Sequence, residues 1–258
     1  MKKRLKPLEL FLTIGMVAAL GACTDASDDV SGDTEPVTED VASEGGEGGE
    51  GGEGGEGGEG GEGTEYSKGE QANADFQDQL GGAELLTALK EGGHVIYFRH
   101  AQTERDYADQ ADPSMSLDDC ETQRKLNDVG IQQSKDIGVA FEAKAIPVGD
   151  VISSDYCRAW QTADLAFGRH EKNSKLNFLP FEEYTDAQVE EMQANVMPLL
   201  IAVPDSGENT VIVGHDDIFE AATGIYPAPQ GLAYVLTPDG AGGFELVANM
   251  LPEEWADL

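Results

Sequence analysis

The chain has 258 residues, which is enough for one or two globular domains. It carries 50 acidic against 16 basic residues, and this excess of negative charge excludes nucleic acid or an anionic membrane surface as a general electrostatic partner. Charge and glycine are unevenly distributed, since 13 of the 32 glycines lie between Gly45 and Gly63. The chain therefore divides into three parts, residues 1–22, 23–80 and 81–258.

Residues 1–22 have a basic start followed by an apolar run from Leu10 to Leu20. This pattern is typical of an export signal and is shorter than the roughly 20 residues of a membrane-spanning helix. The run ends in Leu-Gly-Ala-Cys23, which resembles the lipobox of bacterial lipoproteins. The resemblance implies cleavage before Cys23, lipid attachment to its sulfur, and an exported protein anchored to the periplasmic or cell-surface side of a bacterial membrane. The alternative is an ordinary secretory signal with a chance cysteine.

Residues 23–80 are acidic and nearly free of aliphatic and aromatic side chains. They contain 18 acidic residues against the single Lys68, and Gly-Gly-Glu repeats six times between Gly45 and Glu62. This composition provides no core to offset the entropy of ordering, and its glutamates repel one another. The segment is predicted to be a disordered tether with a random-coil span of about 40 Å. Calcium binding by the scattered carboxylates is the alternative, and the lack of a rigid loop disfavours it.

Residues 81–258 contain all four histidines and both tryptophans and are long enough for a single globular domain. The first half of the domain is predicted to contain, in chain order, a helix over 83–89, a strand over 94–98, a polar loop over 101–119, a helix over 127–145 capped by Asn127, and a strand over 151–152. The second half is predicted to contain a helix over 156–167, a strand over 176–179, a helix from 186, a strand over 210–213, and paired strands over 233–236 and 244–247. The helix from 186 is expected to turn Val189, Met192, Val196 and Leu199 inward. Helices alternating with strands predict an α/β domain with a mainly parallel sheet.

Two histidines, His100 and His215, stand at the carboxyl ends of predicted strands, where ligands bind in open α/β sheets. Arg99 directly precedes the first histidine. Arg158 lies in the first turn of the helix that follows the strand over 151–152, near the free backbone amides of that turn. Two arginines and two histidines that converge on one sheet edge suit a small dianion such as a phosphoryl group.

Four motifs containing these residues resemble the histidine phosphatase superfamily, the phosphoglycerate-mutase-like proteins. They are, in the family's order and approximate spacing, Phe98-Arg-His-Ala-Gln-Thr-Glu, Leu126-x-x-x-Gly, Ser153-Ser-x-x-x-Arg-x-x-x-Thr-Ala and Val213-Gly-His. The similarity covers about residues 94–220. It implies a three-layer α/β/α sandwich with a mainly parallel central sheet, here preceded by the disordered acidic tether.

The resemblance also implies a phosphatase that acts on a small phosphomonoester or phosphohistidine. His100 would attack phosphorus as a neutral imidazole and form a phosphohistidine that water then hydrolyses. Arg99, Arg158 and His215 would hold the phosphoryl oxygens and stabilise the transition state. Thr103 would add a hydroxyl contact. The resemblance implies neither a metal nor a cofactor.

The donor of the proton to the leaving oxygen stays open. One branch of the superfamily takes it from a Glu after the third strand, which points to Glu183, and another takes it from the Asp directly after the second histidine, which points to Asp216. Asp216 is narrowly favoured, and some small members of the family manage without a donor. The nucleophile is followed by Ala101, where the family often has Gly.

The alternative function is a non-catalytic module that binds a phospho-ligand or a protein on the same fold. The presence of both arginines and both histidines favours the enzyme over this alternative. Arg105 and Arg124 are expected to be solvated or salt-bridged rather than part of the pocket. The domain is predicted to be a monomer without an insertion that caps the site.

Cys120 and Cys157 remain once Cys23 is lipidated, and an even number of cysteines in an exported chain favours a disulfide. The bridge would close a loop of roughly 37 residues, worth about 4 kcal/mol in the chain-entropy model. It would also tie the loop after His100 to the helix that carries Arg158. Two separately buried thiols are the alternative.

Overall fold

The computed structural model describes residues 66–104, 109, 112, 114–179 and 184–258. Its strands are β1 (Val95–Arg99), β2 (Val148–Ser153), β3 (Glu171–Lys172), β4 (Asn209–Gly214), β5 (Ala233–Pro238) and β6 (Phe244–Met250). They form one sheet in the order β3–β2–β4–β1–β5–β6. Strands β1 to β4 run parallel, whereas β5 and β6 are antiparallel to their neighbours.

Helices cover both faces of this sheet. The α-helices of the described chain are α1 (Lys68–Asp75), α2 (Gly82–Glu91), α3 (Asp128–Lys144), α4 (Cys157–Phe167), α5 (Asp186–Leu200) and α6 (Asp216–Thr223). One face packs against α2, α3 and α4 and the other against α5 and α6. This confirms the predicted α/β fold with a mainly parallel sheet between helical layers. None of the helices in the described ranges is both long and apolar enough to cross a membrane.

Strand β1 is buried over its whole length because its side chains alternate between two cores. Ile96 and Phe98 pack into the core under α2, α3 and α4, whereas Val95 and Tyr97 pack into the core under α5 and α6. Full burial of such side chains stabilises the fold by about 1.5–3 kcal/mol each. The polar residues that follow β1 therefore emerge at the carboxyl edge of a rigid central strand.

The predicted elements lie within a few residues of observed ones, apart from the strand over 176–179. That prediction is wrong: residues Ser174–Leu176 form a 3₁₀ turn, and the apolar side chains that follow fill the core from irregular backbone. The edge strand is β3, whose two exposed charged residues carry no apolar pattern. Helix α5 buries Leu200 fully instead of Leu199.

The cap of helix α3 is confirmed, since the Asn127 side chain accepts the N–H of Gly130 at 2.8 Å. Gly130 faces the backbone of Gln102, and a Cβ added there would collide with the Gln102 carbonyl. The glycine therefore lets the first turn of α3 pack closely against the loop that follows β1.

Helix α1 lies within the segment predicted as tether and is folded onto the domain. Its N-terminus has a capping box, in which Ser67 and Glu70 exchange side-chain to backbone hydrogen bonds at 2.7 and 3.1 Å. Asn73 donates to the Ala228 carbonyl at 2.9 Å and accepts the Tyr234 hydroxyl at 2.7 Å. The boundary predicted at residue 80 is therefore too late. Helix α1 docks through polar side chains and lacks an apolar periodicity. The hydrophobic pattern of the sequence therefore does not predict it.

Residues 78–80 run along the outer edge of β6. The backbone N–H groups of Gln79 and Leu80 both donate to the Val247 carbonyl, at 2.9 and 3.1 Å. The Asp78 carboxylate accepts the N–H of Asn249 at 2.9 Å. The last residues before α2 thus occupy hydrogen-bonding groups at the edge of the sheet.

Deleting residues 1–80 is expected to destabilise the domain, whereas deleting residues 1–65 is not. The longer deletion removes the two hydrogen bonds of Asn73, worth about 1 kcal/mol each. It also removes the edge-to-face contact of Phe76 with Tyr234, which adds about 0.5–1.5 kcal/mol. Urea unfolding should show a loss of about 2–4 kcal/mol for the longer deletion alone. Equal free energies of unfolding for the two deletions would contradict the docked helix.

Candidate active site

The carboxyl ends of β1, β4 and β2 bring His100, His215 and Ser154 together. The N–H of His100 donates to the Gly214 carbonyl of β4 at 3.0 Å. The N–H of Ser154 donates to the Val213 carbonyl of the same strand at 3.1 Å. The two imidazole rings have centroids 5.4 Å apart and planes at 64°. The structure therefore places the two predicted histidines side by side.

The His100 ring is fixed in one orientation. Its Nδ1 lies 2.9 Å from the Ala101 carbonyl, which accepts only, so Nδ1 carries the proton and Nε2 keeps a lone pair. The backbone at this point is held by the Ala101 N–H, which donates to the Thr162 hydroxyl at 3.1 Å. Burial, followed by the charges of nearby arginines, lowers the pKa of His100 well below its usual value. The ring is therefore neutral at physiological pH.

The His215 ring is enclosed by polar and aromatic groups. The Ser154 hydroxyl lies 2.8 Å from Nε2, and the Tyr97 hydroxyl bonds the backbone N–H and carbonyl of His215 at 3.0 and 2.7 Å. The rings of Tyr156 and Phe178 pack edge-on against the imidazole at 5.0 and 4.7 Å. Burial and the charge of a nearby arginine lower the pKa of His215 well below its usual value. Ser154 orients this histidine, a role that its place in the motif did not reveal.

Arg158 forms a buried ion pair with Asp109. Its Nη1 lies 2.7 Å from Oδ2, and the two side chains expose 2% and 0% of their surface. The guanidinium lies over the rings of Tyr156 and Phe178, at 4.7 and 5.4 Å from their centroids. Asp109 belongs to the polar loop after His100 and was not predicted, because an acidic residue among many gives no signal in the sequence.

Arg124 is a third arginine at this site. Its backbone N–H donates to Asp109 at 2.9 Å, and its charge lowers the pKa of both His100 and His215. Arg124 therefore lies within electrostatic range of both histidines, and whether its guanidinium is salt-bridged or part of the pocket stays a prediction. Arg105, for which the sequence gives the same expectation, lies outside the described residues.

Arg99 is bound by residues of the segment that follows β4. It forms an ion pair with Asp216 at 2.7 Å and donates to the Pro227 carbonyl at 3.1 Å and to the Tyr226 hydroxyl at 3.4 Å. Burial raises the pKa of Asp216, but Arg99 and a hydrogen bond from Tyr226 outweigh it and lower that pKa overall. Asp216 is therefore held as a carboxylate in this structure.

The remaining predicted site residues are Thr103, Glu183 and Cys23. Thr103 is buried, and its N–H and hydroxyl both donate to the Gln230 side chain, at 2.7 and 3.2 Å. A contact of Thr103 with substrate stays a prediction. Glu183 and Cys23 lie outside the described residues. Within those residues, no three His, Cys, Asp or Glu side chains are grouped to hold a metal ion.

The predicted disulfide between Cys120 and Cys157 is present and closes a loop over a sequence separation of 37. Next to it, the Cys157 N–H donates to the Gln123 side chain at 2.8 Å. The bridge joins the loop that contains Arg124 to the first turn of α4, where Arg158 lies. Both arginines are thereby attached to one covalent framework.

Residues 95–197 match the histidine phosphatase superfamily (branch 1). This range contains His100 and Arg158 and ends before His215. No curated protein matches the chain.

Three solved structures are similar to the chain. The protein histidine phosphatase SixA complexed with tungstate is 15% identical, with a TM-score of 0.44, over 62% of this chain and 98% of that one. A putative alpha-ribazole-5'-P phosphatase from Escherichia coli K-12 MG1655 is 15% identical, with a TM-score of 0.47, over 62% and 98%. Phosphoserine phosphatase from Entamoeba histolytica, in complex with 3-phosphoglyceric acid, is 14% identical, with a TM-score of 0.44, over 60% and 95%.

Replacing Asp109 by Asn is expected to destabilise the protein by about 3–5 kcal/mol, because it leaves the Arg158 guanidinium buried without its counter-ion. The free energy of unfolding measured in urea provides the test. Asp118→Asn is the matched control, since this exposed aspartate lies in the same loop. Equal stability of the two variants would show that the ion pair does not hold the loop.

Proposed function

We propose that the chain, whose residues 95–197 match the histidine phosphatase superfamily (branch 1), is a phosphatase acting through a phosphohistidine on His100. Its substrate is a small phosphomonoester or phosphohistidine. The orientation of the His100 ring carries this proposal, because Nδ1 is bonded to the Ala101 carbonyl and Nε2 keeps its lone pair. A neutral imidazole in this tautomer is the form that attacks phosphorus.

Arg158 and His215 hold the phosphoryl oxygens in this mechanism. Asp109 fixes one edge of the Arg158 guanidinium, and the remaining N–H groups of this side chain donate to phosphoryl oxygens. The Ser154 hydroxyl lies 2.8 Å from Nε2 of His215, and in this mechanism it donates to that nitrogen while Nδ1 carries the proton that faces the phosphoryl group. Donors positioned before the reaction stabilise the charge that spreads over the equatorial oxygens. Each of these roles is filled by a protein group, and no metal is called for.

Arg99 and Arg124 contribute positive charge. The charges of both arginines lower the pKa of His100, which places them within electrostatic reach of the nucleophile. A pocket of this kind in a strongly acidic protein attracts a small dianion and disfavours a large polyanion such as nucleic acid.

The two predicted proton donors differ in their support. The ion pair with Arg99 keeps Asp216 ionised, which disfavours it as an acid. Glu183 stays a prediction.

We also propose that the protein is exported and anchored to a bacterial membrane by lipid on Cys23, with the acidic segment as a spacer and the domain as a monomer. The disulfide between Cys120 and Cys157 supports an oxidising compartment.

A non-catalytic phospho-ligand module is the second candidate. One observation favours it over catalysis: Arg99 and Arg158 are both paired with carboxylates at 2.7 Å, which offsets part of the positive charge that would stabilise a transition state. An anion would have to share these arginines with Asp216 and Asp109. Such a module binds phosphate or vanadate but does not form a phosphohistidine.

Replacing His100 by Ala is expected to lower kcat/KM for 4-nitrophenyl phosphate by at least about 10³-fold, because the nucleophile is lost. The full-length chain is assayed in EDTA, and a ³²P phosphodonor is used to trap label that is stable in alkali and lost in acid. His170→Ala, which lies by the end of α4, should keep both activity and label. Vanadate binding without turnover or label in the unaltered protein would favour the binding module.

Mass spectrometry of the mature protein from a bacterial host tests the anchor. The expected N-terminal residue is a lipid-modified Cys23, and Cys23→Ser should release the protein from the membrane fraction. An unmodified Cys23 in a soluble mature chain would contradict the lipid attachment.

A further inference from the structure

Helix α1 is bound to the short segment over 226–228 that itself binds Arg99. We propose that Asn73 of α1 is a positioning residue, which holds the 226–228 segment and, through it, the positive charge of Arg99 at the phosphoryl-binding site. This inference rests on the proposed function and adds to it a residue that precedes the residues 95–197 matching the family.

The 226–228 segment holds the guanidinium of Arg99 through two of its residues. The Pro227 carbonyl accepts Nη1–H of Arg99 at 3.1 Å, and the Tyr226 hydroxyl accepts Nη2–H at 3.4 Å. The Tyr226 ring also lies 5.2 Å from the guanidinium carbon. Because Arg99 is buried, water does not replace these partners when they move. The position of its charge therefore follows the position of the segment.

The residues that continue from this segment border the nucleophile as well. The Gly231 N–H donates to the His100 carbonyl at 2.9 Å, and the Leu232 carbonyl accepts the Arg99 N–H at 3.0 Å. The chain over 226–232 thus contacts both residues of the Arg99-His100 pair. A displacement of this chain is expected to reach the site directly.

Helix α1 binds the 226–228 segment on both sides of Pro227. The Tyr226 N–H donates to the Gly69 carbonyl at 3.1 Å. The Asn73 amide donates from Nδ2 to the Ala228 carbonyl at 2.9 Å. A carbonyl only accepts hydrogen bonds, which assigns the NH₂ group of Asn73 to the side of Ala228. The two residues that flank Pro227 are therefore both held by one helix.

The other end of the Asn73 amide is attached to the sheet. Its Oδ1 accepts the hydroxyl of Tyr234 at 2.7 Å, and Tyr234 belongs to the buried part of β5. The Phe76 ring packs edge-on against the Tyr234 ring at 5.1 Å. Eight residues of helix are not stable alone, so α1 depends on these contacts for its position. Asn73 thus links a rigid strand to the segment that binds Arg99.

Two variants separate the two hydrogen bonds of Asn73 in the full-length chain. Asn73→Asp preserves the shape and the acceptor for Tyr234, but it places an oxygen that repels the Ala228 carbonyl where the donor was. Tyr234→Phe preserves the aromatic ring and removes only the bond to the sheet. Each variant therefore loses one hydrogen bond of the same residue, and urea unfolding identifies the conditions under which both are folded.

At pH 8, Asn73→Asp should lower kcat/KM for 4-nitrophenyl phosphate by about five- to thirtyfold and weaken vanadate binding by a similar factor. Tyr234→Phe should change both quantities by less than about twofold, because the bond to the 226–228 segment is intact. A general loss of stability would affect the two variants alike.

A double-mutant cycle tests whether Asn73 acts through Arg99. The background Arg99→Met with Asp216→Asn removes the ion pair as a unit, so that no buried charge is left without its partner. In this background, Asn73→Asp should lower kcat/KM by less than about twofold, since the charge that it displaces is absent.

Equal effects of Asn73→Asp and Tyr234→Phe, unchanged vanadate binding in Asn73→Asp, or an undiminished loss in the background without the ion pair would each overturn the assignment. Failure of the phosphatase function itself is distinguishable, because the unaltered protein would then form no phosphohistidine label. Vanadate affinity would in that case still report how Asn73 positions Arg99.

Discussion

A buried guanidinium needs a counter-ion, and this site contains two buried arginines, each paired with its own aspartate. An unpaired buried charge costs several kcal/mol, and both Arg158 and Arg99 are nearly without solvent exposure. Asp109 pairs with Arg158 from the loop after His100, and Asp216 pairs with Arg99 from the turn after the second histidine. The first ion pair ties the loop after His100 to the first turn of α4, and the second ties the end of β1 to the turn after His215. The positions of loop, turn and strand ends all depend on this pairing.

The same pairing divides the charges around the nucleophile. Positive charge from the arginines and burial together keep His100 neutral, which is the state a nucleophile requires. Asp216 carries the negative charge that balances Arg99. That charge also repels the ionised form of Asp217 and, after burial, is the next cause of its raised pKa. The same carboxylate thus stabilises an arginine and, together with burial, raises the pKa of its neighbour Asp217 to about 7.

The sequence was sufficient for the central strands and for the residues that end them. Continuous apolar runs identify β1 and β4, and the first polar residues after them include His100 and His215. The side chains that pair with those residues could not be predicted from the sequence. Asp109 and Ser154 reach the site through long-range pairing, and one aspartate among 50 acidic residues carries no local mark. Helix α1 docks through polar contacts, so the hydrophobic pattern on which helix prediction depends does not reveal it.

The segment at residues 78–80 has a consequence for how copies of the protein meet. An open outer strand presents free N–H and C=O groups that a strand of another molecule can join. On β6 the Val247 carbonyl and the Asn249 N–H are already bonded to this segment of their own chain. Two copies of the domain can then collide edge to edge without forming a shared sheet. The chain that leads into the domain thus also protects it against aggregation.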